Sequence, residues 1–252
     1  MTSVLEIKNA TVVVNPSQYN QTTIMQDFNL TVNKGDFVVI LGTNGAGKST
    51  LFNIISGQQE IVEGSIKING DDVTKSNSIS RTKYLARVFQ DPKLGTAPRM
   101  TVAENLLLAE KRGQKRKLQT RNLSTTKKEE YKNSLQKFGN GLEERIDTDT
   151  ANLSGGQRQT LSFVMATSTV PDLLLLDEHT AALDPQTSSI LMEETNRVVT
   201  EKGITTLMIT HDIKDALRFG NRMIIIDGGK IVFEADQKTK KKVTEKEILK
   251  YL

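Results

Sequence analysis

The chain has 252 residues, enough for one substantial hydrophobic core with a smaller subdomain inserted into it. Hydrophobic residues make up 37% and charged residues 25%, the balance of an ordinary globular protein, and no apolar run nears the roughly 18 residues that a membrane-crossing helix needs. The net charge of +4 is concentrated: residues 111–128 hold eight basic side chains and no acidic one, which leaves −4 for the remainder.

That basic stretch reads first as a solvated surface and second as a patch for anionic lipid headgroups. Nucleic acid is disfavoured, because no aromatic residue interleaves with the charges to stack bases. The absence of cysteine excludes disulfides, thiolate catalysis and cysteine-bound zinc. The opening M-T-S-V-L-E-I-K-N lacks the basic start and apolar stretch of a secretory signal. A cytoplasmic location fits.

In chain order, residues 4–8 and 11–14 read as strands and residues 15–21 as a polar loop. The run F-V-V-I-L at 37–41 is continuously apolar, as a strand buried on both faces requires. A Gly-rich loop follows at once, then a helix carrying Leu51, Phe52, Ile54 and Ile55 that Gly57 stops. Residues 65–68 form a short strand closing at the hairpin turn Asn69-Gly70. Residues 87–90 read as a strand end, broken by Asp91-Pro92. Thr101 and Glu104 make a capping-box pattern, and helical sequence continues to about Asn140. Sheet character returns at 173–176, 205–210 and 223–226. Asp227-Gly228-Gly229 predicts a final hairpin, and Thr244 with Glu247 caps a last helix. No internal repeat is visible.

Three patterns carry chemistry. Residues 42–49, G-T-N-G-A-G-K-S, match G-x-x-x-x-G-K-[ST] between a predicted strand and a predicted helix. Gly42, Gly45 and Gly47 let the backbone curl, so that the N–H groups of Thr43, Asn44, Ala46 and their neighbours face phosphate oxygens. The helix N-terminus at Lys48, Ser49 and Thr50 adds its partial positive charge. Lys48 reaches the β- and γ-phosphates and Ser49 ligates Mg²⁺. A Gly-rich turn in an unrelated protein is the competing reading. The second pattern, L-L-L-L-D-E at 173–178, is an apolar strand ending in two carboxylates. Asp177 suits Mg²⁺, directly or through water, and Glu178 suits a base beside it. Alone, the pair reads equally well as an acidic cap for the next helix. The third is L-S-G-G-Q at 153–157, with Ser154 as helix N-cap and Gly155, Gly156 and Gln157 in the first turn.

Loop, pentapeptide and D-E pair in this order resemble the ATP-binding subunit of an ABC transporter, over about residues 4–235. The resemblance implies an α/β P-loop NTPase: a RecA-like core at 1–90 and 170–252, an antiparallel β arm, and an inserted helical subdomain at 91–169. It makes 42–49 the Walker A loop, Asp177 the Walker B aspartate and Glu178 the general base. Gln90 becomes the Q-loop residue that touches Mg²⁺ or water, and His211 the switch histidine that binds the γ-phosphate. Asp184, ending A-L-D, belongs to the D-loop at a dimer interface. Residues 154–157 would bind ATP held by a second copy. The family stacks adenine on an aromatic residue after the first strands; here Val14 aligns and Tyr19 is the nearest aromatic.

The implied cofactors are ATP and Mg²⁺. The implied partners are a second ATPase subunit (identical or related), membrane permease subunits and an extracellular solute-binding protein, with the chain peripheral on the cytoplasmic face of the membrane. The wording F-Q-D-P-K-L-G-T-A-P-R-M-T-V-A-E-N-L resembles importer ATPases for amino acids and similar solutes. An exporter ATPase and a soluble ATPase of iron–sulfur assembly remain alternatives. His179 stands where most family members carry proline, which reads as a tolerated substitution or as a group that tunes the pH dependence.

Overall fold

The computed structural model describes residues 2–14, 21–113 and 123–252. Strands β1 (Ser3–Val14), β2 (Thr22–Asn33) and β3 (Phe37–Leu41) lead into helix α1 (Lys48–Ser56). β4 (Glu63–Ile68), β5 (Asp71–Asp72), α2 (Ser78–Arg81) and β6 (Leu85–Val88) follow. Three longer helices come next: α3 (Val102–Glu110), α4 (Thr125–Gln136) and α5 (Gly155–Ser168). The chain then alternates through β7 (Leu173–Asp177), α6 (Pro185–Lys202), β8 (Thr205–Ile209), α7 (Ile213–Arg218) and β9 (Arg222–Asp227), and ends in β10 (Lys230–Ala235) and α8 (Glu245–Ile248).

One sheet is antiparallel, in the order β2-β1-β4-β5. The two strands expected at 4–8 and 11–14 are one: β1 runs through Asn9, whose positive φ of 49° bulges the strand without ending it. β2 has no counterpart among the expected elements. Phe28, Leu30 and Val32 alternate inward, but Asp27 at φ 53° resets the phase, so that Met25 also points in. The turn Asn69-Gly70 has positive φ at both residues and pairs Ile68 with Asp71, the two-residue hairpin its sequence implies.

The other sheet has the order β10-β9-β3-β8-β7-β6, parallel except for β10 at the edge. Its central strands are buried on both faces. Val38 and Ile40 of β3, with Leu173 and Leu175 of β7, pack on the α1 side beside the antiparallel sheet. Phe37, Val39 and Leu41, with Leu174 and Leu176, pack on the opposite side against Leu191 and Val199 of α6. The alternation explains why these strands read as unbroken apolar runs.

The helices between β6 and β7 have a core of their own. Val102 and Leu106 of α3, Tyr131 and Leu135 of α4, Leu142, Ile146 and Leu161 cluster together, while Phe163 and Ala166 of α5 reach the sheet. The capping box at Thr101 and Glu104 is complete in both directions. The helical run expected to continue to about Asn140 ends at Gln136, where Gly139 and Gly141 take positive φ. Residues 114–122 of the basic stretch lie outside the described residues. Within its described part, Arg112 donates to the carbonyl of Ala166 at 3.0 Å, and Lys127 and Lys128 pair with Glu110 at 2.9 Å and Asp147 at 2.6 Å. Those three cations are engaged within the fold. Among the described residues no helix is long and apolar enough to cross a membrane.

Candidate functional site

The site is assembled by strand order. β3, β8, β7 and β6 are neighbours and parallel, and their registers align Ile40 with Ile209, Ile209 with Asp177, and Leu176 with Val88. Their C-terminal ends therefore lie along one edge of the sheet. The 42–49 loop follows β3, His211 follows β8, Asp177 ends β7 with Glu178 next after it, and Gln90 follows β6 by two residues. Ligand sites of parallel α/β sheets form at this edge. The strand end expected at 87–90 lies two residues earlier, at Val88, which leaves Gln90 exposed beyond the sheet.

The Gly-rich loop is held from behind by the β9–β10 turn. A Cβ on Gly42 would stand 2.2 Å from the carbonyl oxygen of Ile226, so only glycine fits there. Gly229 donates its N–H to the carbonyl of Ala46 at 3.0 Å, and Thr43 Oγ1 donates to Asp227 Oδ1 at 3.4 Å. Gly47 precedes α1 at φ 104° and offers no side-chain cap, and the first turn of α1 holds no acid. The helix N-terminus thus keeps its positive end for an anion. Lys48 is buried and donates from Nζ to the carbonyls of Gly42 at 2.7 Å and Thr43 at 2.8 Å. Burial pushes its ammonium pKa down, against the pull of Glu178 and Asp177. A buried cation, carbonyl-bound in a loop of glycines, fits a polyphosphate. Ser49, Thr43, Asn44 and Gly45 are exposed at the same place.

The two carboxylates at the end of β7 and just beyond it have different partners. Arg87 Nη2 donates to Asp177 Oδ2 at 2.5 Å, with both side chains largely buried. Glu178 takes the left-handed conformation, φ 43°, an uncommon state for a non-glycine residue and one found at functional sites. The turn is fixed by its N–H, which donates to the carbonyl of Ile209 at 3.1 Å. Glu178 Oε2 accepts from Gln90 Nε2 at 3.3 Å and lies 3.5 Å from His211 Nδ1. Glu178, Gln90 and His211, read from three separate motifs, thus meet at one oxygen. The Ser49 hydroxyl and the Asp177 carboxylate are oxygen donors of the kind that could hold a divalent ion. No cluster of three or more acidic, histidine or cysteine residues forms a protein-only metal cage among the described residues.

The pentapeptide lies elsewhere in the chain's bonding. Ser154 Oγ accepts from Gln157 N, and Gln157 Oε1 accepts from Ser154 N, both at 3.2 Å, a reciprocal capping box. Gln157 Nε2 donates to the carbonyl of Asn140 at 3.1 Å. These contacts all fall within 140–158, while Ser154 and Gly155 stay exposed. Gly156 packs close to α6, where an added Cβ would meet Thr187 Cγ2 at 3.0 Å. Asp184, exposed, caps α6 by accepting from Thr187 N.

Arg87 and Asn53 lie outside the motifs and carry no sequence signal, and the hairpin turn predicted at Asp227-Gly228-Gly229 gave no sign that it backs the phosphate loop. Sequence reading left His179 open, and the structure buries it at 2% exposure. Its Nε2 is 3.2 Å from Thr195 Oγ1, and its ring stacks on Phe163 at 6.4 Å. It therefore fills the α5–α6 side of the sheet. Tyr19 lies outside the described residues, and Val14 is half-buried at the end of β1.

Comparison with known proteins agrees with this geometry. A family model described as "ABC transporter" matches residues 25–181. The tyrosine transport ATP-binding protein of Clostridioides difficile is 43% identical over 97% of both chains. The spermidine/putrescine import ATP-binding protein PotA of Haemophilus ducreyi is 33% identical over 91% of this chain, which spans 57% of that protein. The ATP-binding cassette MJ0796, solved as a dimer in a post-hydrolysis state bound to ADP and Pi, superposes with a TM-score of 0.76 at 27% identity, covering 92% of this chain and 98% of that one. The chain belongs to the ABC transporter ATP-binding family. It is an ATP-binding, ATP-hydrolysing transporter subunit with the ABC ATPase fold, and its relatives are named for import and transport.

Proposed function

We propose that this subunit drives uptake of a small solute, an amino acid or a compound of similar size, through separate membrane permease subunits fed by an extracellular solute-binding protein. The convergence of Lys48, Asp177, Glu178, Gln90 and His211 at the ends of four neighbouring strands carries the ATP-hydrolysing part of the reading. The Clostridioides relative, similar over its full length and named for tyrosine transport, supports the solute class. Nothing comparable supports the exporter or iron–sulfur assembly alternatives.

Residues 42–50, Lys48 among them, bind the triphosphate by backbone N–H groups and one ammonium. Ser49, Asp177 and Gln90 would hold Mg²⁺, which supplies charge neutralisation on the β- and γ-phosphates. Glu178 takes the proton of the attacking water as general base, while His211 donates to the γ-phosphate. Ser154 and Gly155, both exposed, serve the ATP of a second copy together with the half-buried Gly156 and Gln157, and Asp184 lies at the same interface. Each dimer, identical or with a related ATPase chain, closes head-to-tail around two ATP molecules on the cytoplasmic face of the membrane. Residues 91–169, with their separate cluster, move as a subdomain against the core at 1–90 and 170–252 and pass the motion to the permease.

Glu178→Gln tests the central assignment. Its amide preserves shape and hydrogen bonding but cannot take a proton. Hydrolysis should fall by about 10²–10⁴-fold with fluorescent ATP binding retained. Near-normal turnover would remove Glu178 as the base.

A further inference from the structure

Two largely buried arginines bond the C-terminal part of α1 and the turn after it, and they are bonded in opposite ways. Arg81 donates to backbone carbonyls, those of Ile54, Ile55, Val73, Thr74 and Ser76, as a structural clamp does. Arg87 donates to side-chain oxygens: Nη2 to Asp177 Oδ2 at 2.5 Å, Nη1 to Asn53 Oδ1 at 2.9 Å and to Gln58 Oε1 at 2.8 Å. Asn53 belongs to α1, the helix that carries Lys48 and Ser49, and Gln58 follows that helix. The guanidinium also lies over the rings of Phe89 at 4.9 Å and Phe52 at 5.7 Å. It is held from two sides before it reaches Asp177.

We infer that Arg87 is a positioning residue for the Mg²⁺ site, fixing the Asp177 carboxylate relative to Ser49 through the bridge Asp177–Arg87–Asn53. The inference rests on the proposed role of Asp177 as a metal ligand. A short carboxylate at a strand end rotates freely about its side-chain bonds. With Oδ2 engaged by a planar guanidinium that is itself tied to α1, the carboxylate is orientated before metal arrives, and Oδ1 is left for the ion or its water. Partners of ligating carboxylates have this function in metal sites generally. The charge on Arg87 opposes a second cation, so orientation and repulsion pull in opposite directions. The anchors at Asn53 on α1 and at Gln58 just after it, with the two aromatic faces, decide for orientation, because a mere counter-charge needs none of them. Lysine in its place would keep the charge without the planar fork. The segment just past the same strand also delivers Gln90 to Glu178, so the end of β6 and the residues after it contact both adjoining carboxylates, Asp177 and Glu178.

The experiment measures binding of a fluorescent ADP with Mg²⁺ and in EDTA, alongside the Mg²⁺ concentration that half-saturates hydrolysis. The variants are Arg87→Met, Arg87→Lys, Asn53→Ala and Asp177→Asn. Arg87→Met should lose about tenfold or more of the Mg²⁺-dependent gain in affinity and raise half-saturating Mg²⁺ to match, with EDTA binding within about twofold of wild type. Arg87→Lys should recover only part of the loss, and Asn53→Ala should shift in the same direction by less. Equal losses with Mg²⁺ and in EDTA would make Arg87 structural, and tighter Mg²⁺ binding would make it a competitor; either result overturns the inference. If Arg87→Met does not fold, Arg87→Lys and Asn53→Ala decide by the same ratio. Asp177→Asn separates the two layers: if it leaves Mg²⁺ dependence unchanged, the metal-ligand reading itself has failed.

Discussion

Replacing His179 with leucine should flatten the acid side of the stability profile. His179 is 2% exposed, bonded to a hydroxyl and stacked on an aromatic ring. Burial lowers its pKa from 6.5 to about 4. Between those values the unfolded chain binds a proton that the folded chain refuses, so stability falls as pH drops through that window. The slope approaches about 1.4 kcal/mol per pH unit. Integrated from about pH 7.5 to about pH 5, the folded state loses about 2 kcal/mol through this one ring. Leucine has similar bulk and no proton. It forfeits the Thr195 contact, but by the same amount at both pH values. Urea unfolding of both proteins at the two pH values isolates the effect, since every carboxylate contributes equally to each. Wild type should lose about 2 kcal/mol more than the His179→Leu variant does. Equal losses would mean that the ring is hydrated or already charged in the fold, and the burial argument would fall.

Arg81→Met should remove the charged clamp on the C-terminal end of α1. Five carbonyls lose their donor, offset by relief of a buried charge, for a net cost of about 2–4 kcal/mol and a fall in Tm of roughly 5–10 °C. A loss below about 1 kcal/mol by thermal unfolding would show that water replaces the guanidinium. Ser154→Ala removes an exposed N-cap at a local cost of about 1 kcal/mol. Nucleotide binding by the monomer should be unchanged, while ATP-dependent dimerisation, followed by light scattering in the Glu178→Gln background, should weaken. Dimerisation as strong as in the parent would exclude a role for Ser154 across the interface.

How much of the fold and site is legible in the sequence depends on periodicity. Strands β3, β7, β8 and β9 announce themselves because both faces are buried, so their polar residues fall only at the strand ends and the apolar run between is unbroken. β2 escapes because Asp27 breaks the alternation and places Met25 and Phe28 on the same side, three residues apart. Helix α6 carries its signals openly, Asp184 as N-cap, Pro185 in the first turn and Gly203 at the stop, but an interface role for Asp184 draws attention away from its capping role. The motif residues are readable since phosphate and metal chemistry constrain them in type and spacing. Arg87 is not, because its partners Asn53, Gln58 and Asp177 come from distant segments that only the β6–β7 pairing brings together. His179 shows the converse limit: its position beside Glu178 leaves a tolerated substitution and a pH-tuning group both open, and its burial against Thr195 and Phe163 places it away from that carboxylate's partners.

The β9–β10 turn has a practical consequence for anyone labelling this protein. A two-residue surface hairpin is an ordinary choice for an epitope or a fluorophore insert. Here Gly229 bonds Ala46 in the phosphate loop, and a side chain on it would stand 1.9 Å from the carbonyl oxygen of Ile24. Insertion between Asp227 and Lys230 would detach the phosphate loop from its backing and press on β2 together. The Asn69-Gly70 hairpin has the same turn geometry, and an added Cβ on Gly70 meets nothing within 4 Å. A tag placed there leaves the nucleotide loop undisturbed, and the same tag in the β9–β10 turn becomes a lesion in it.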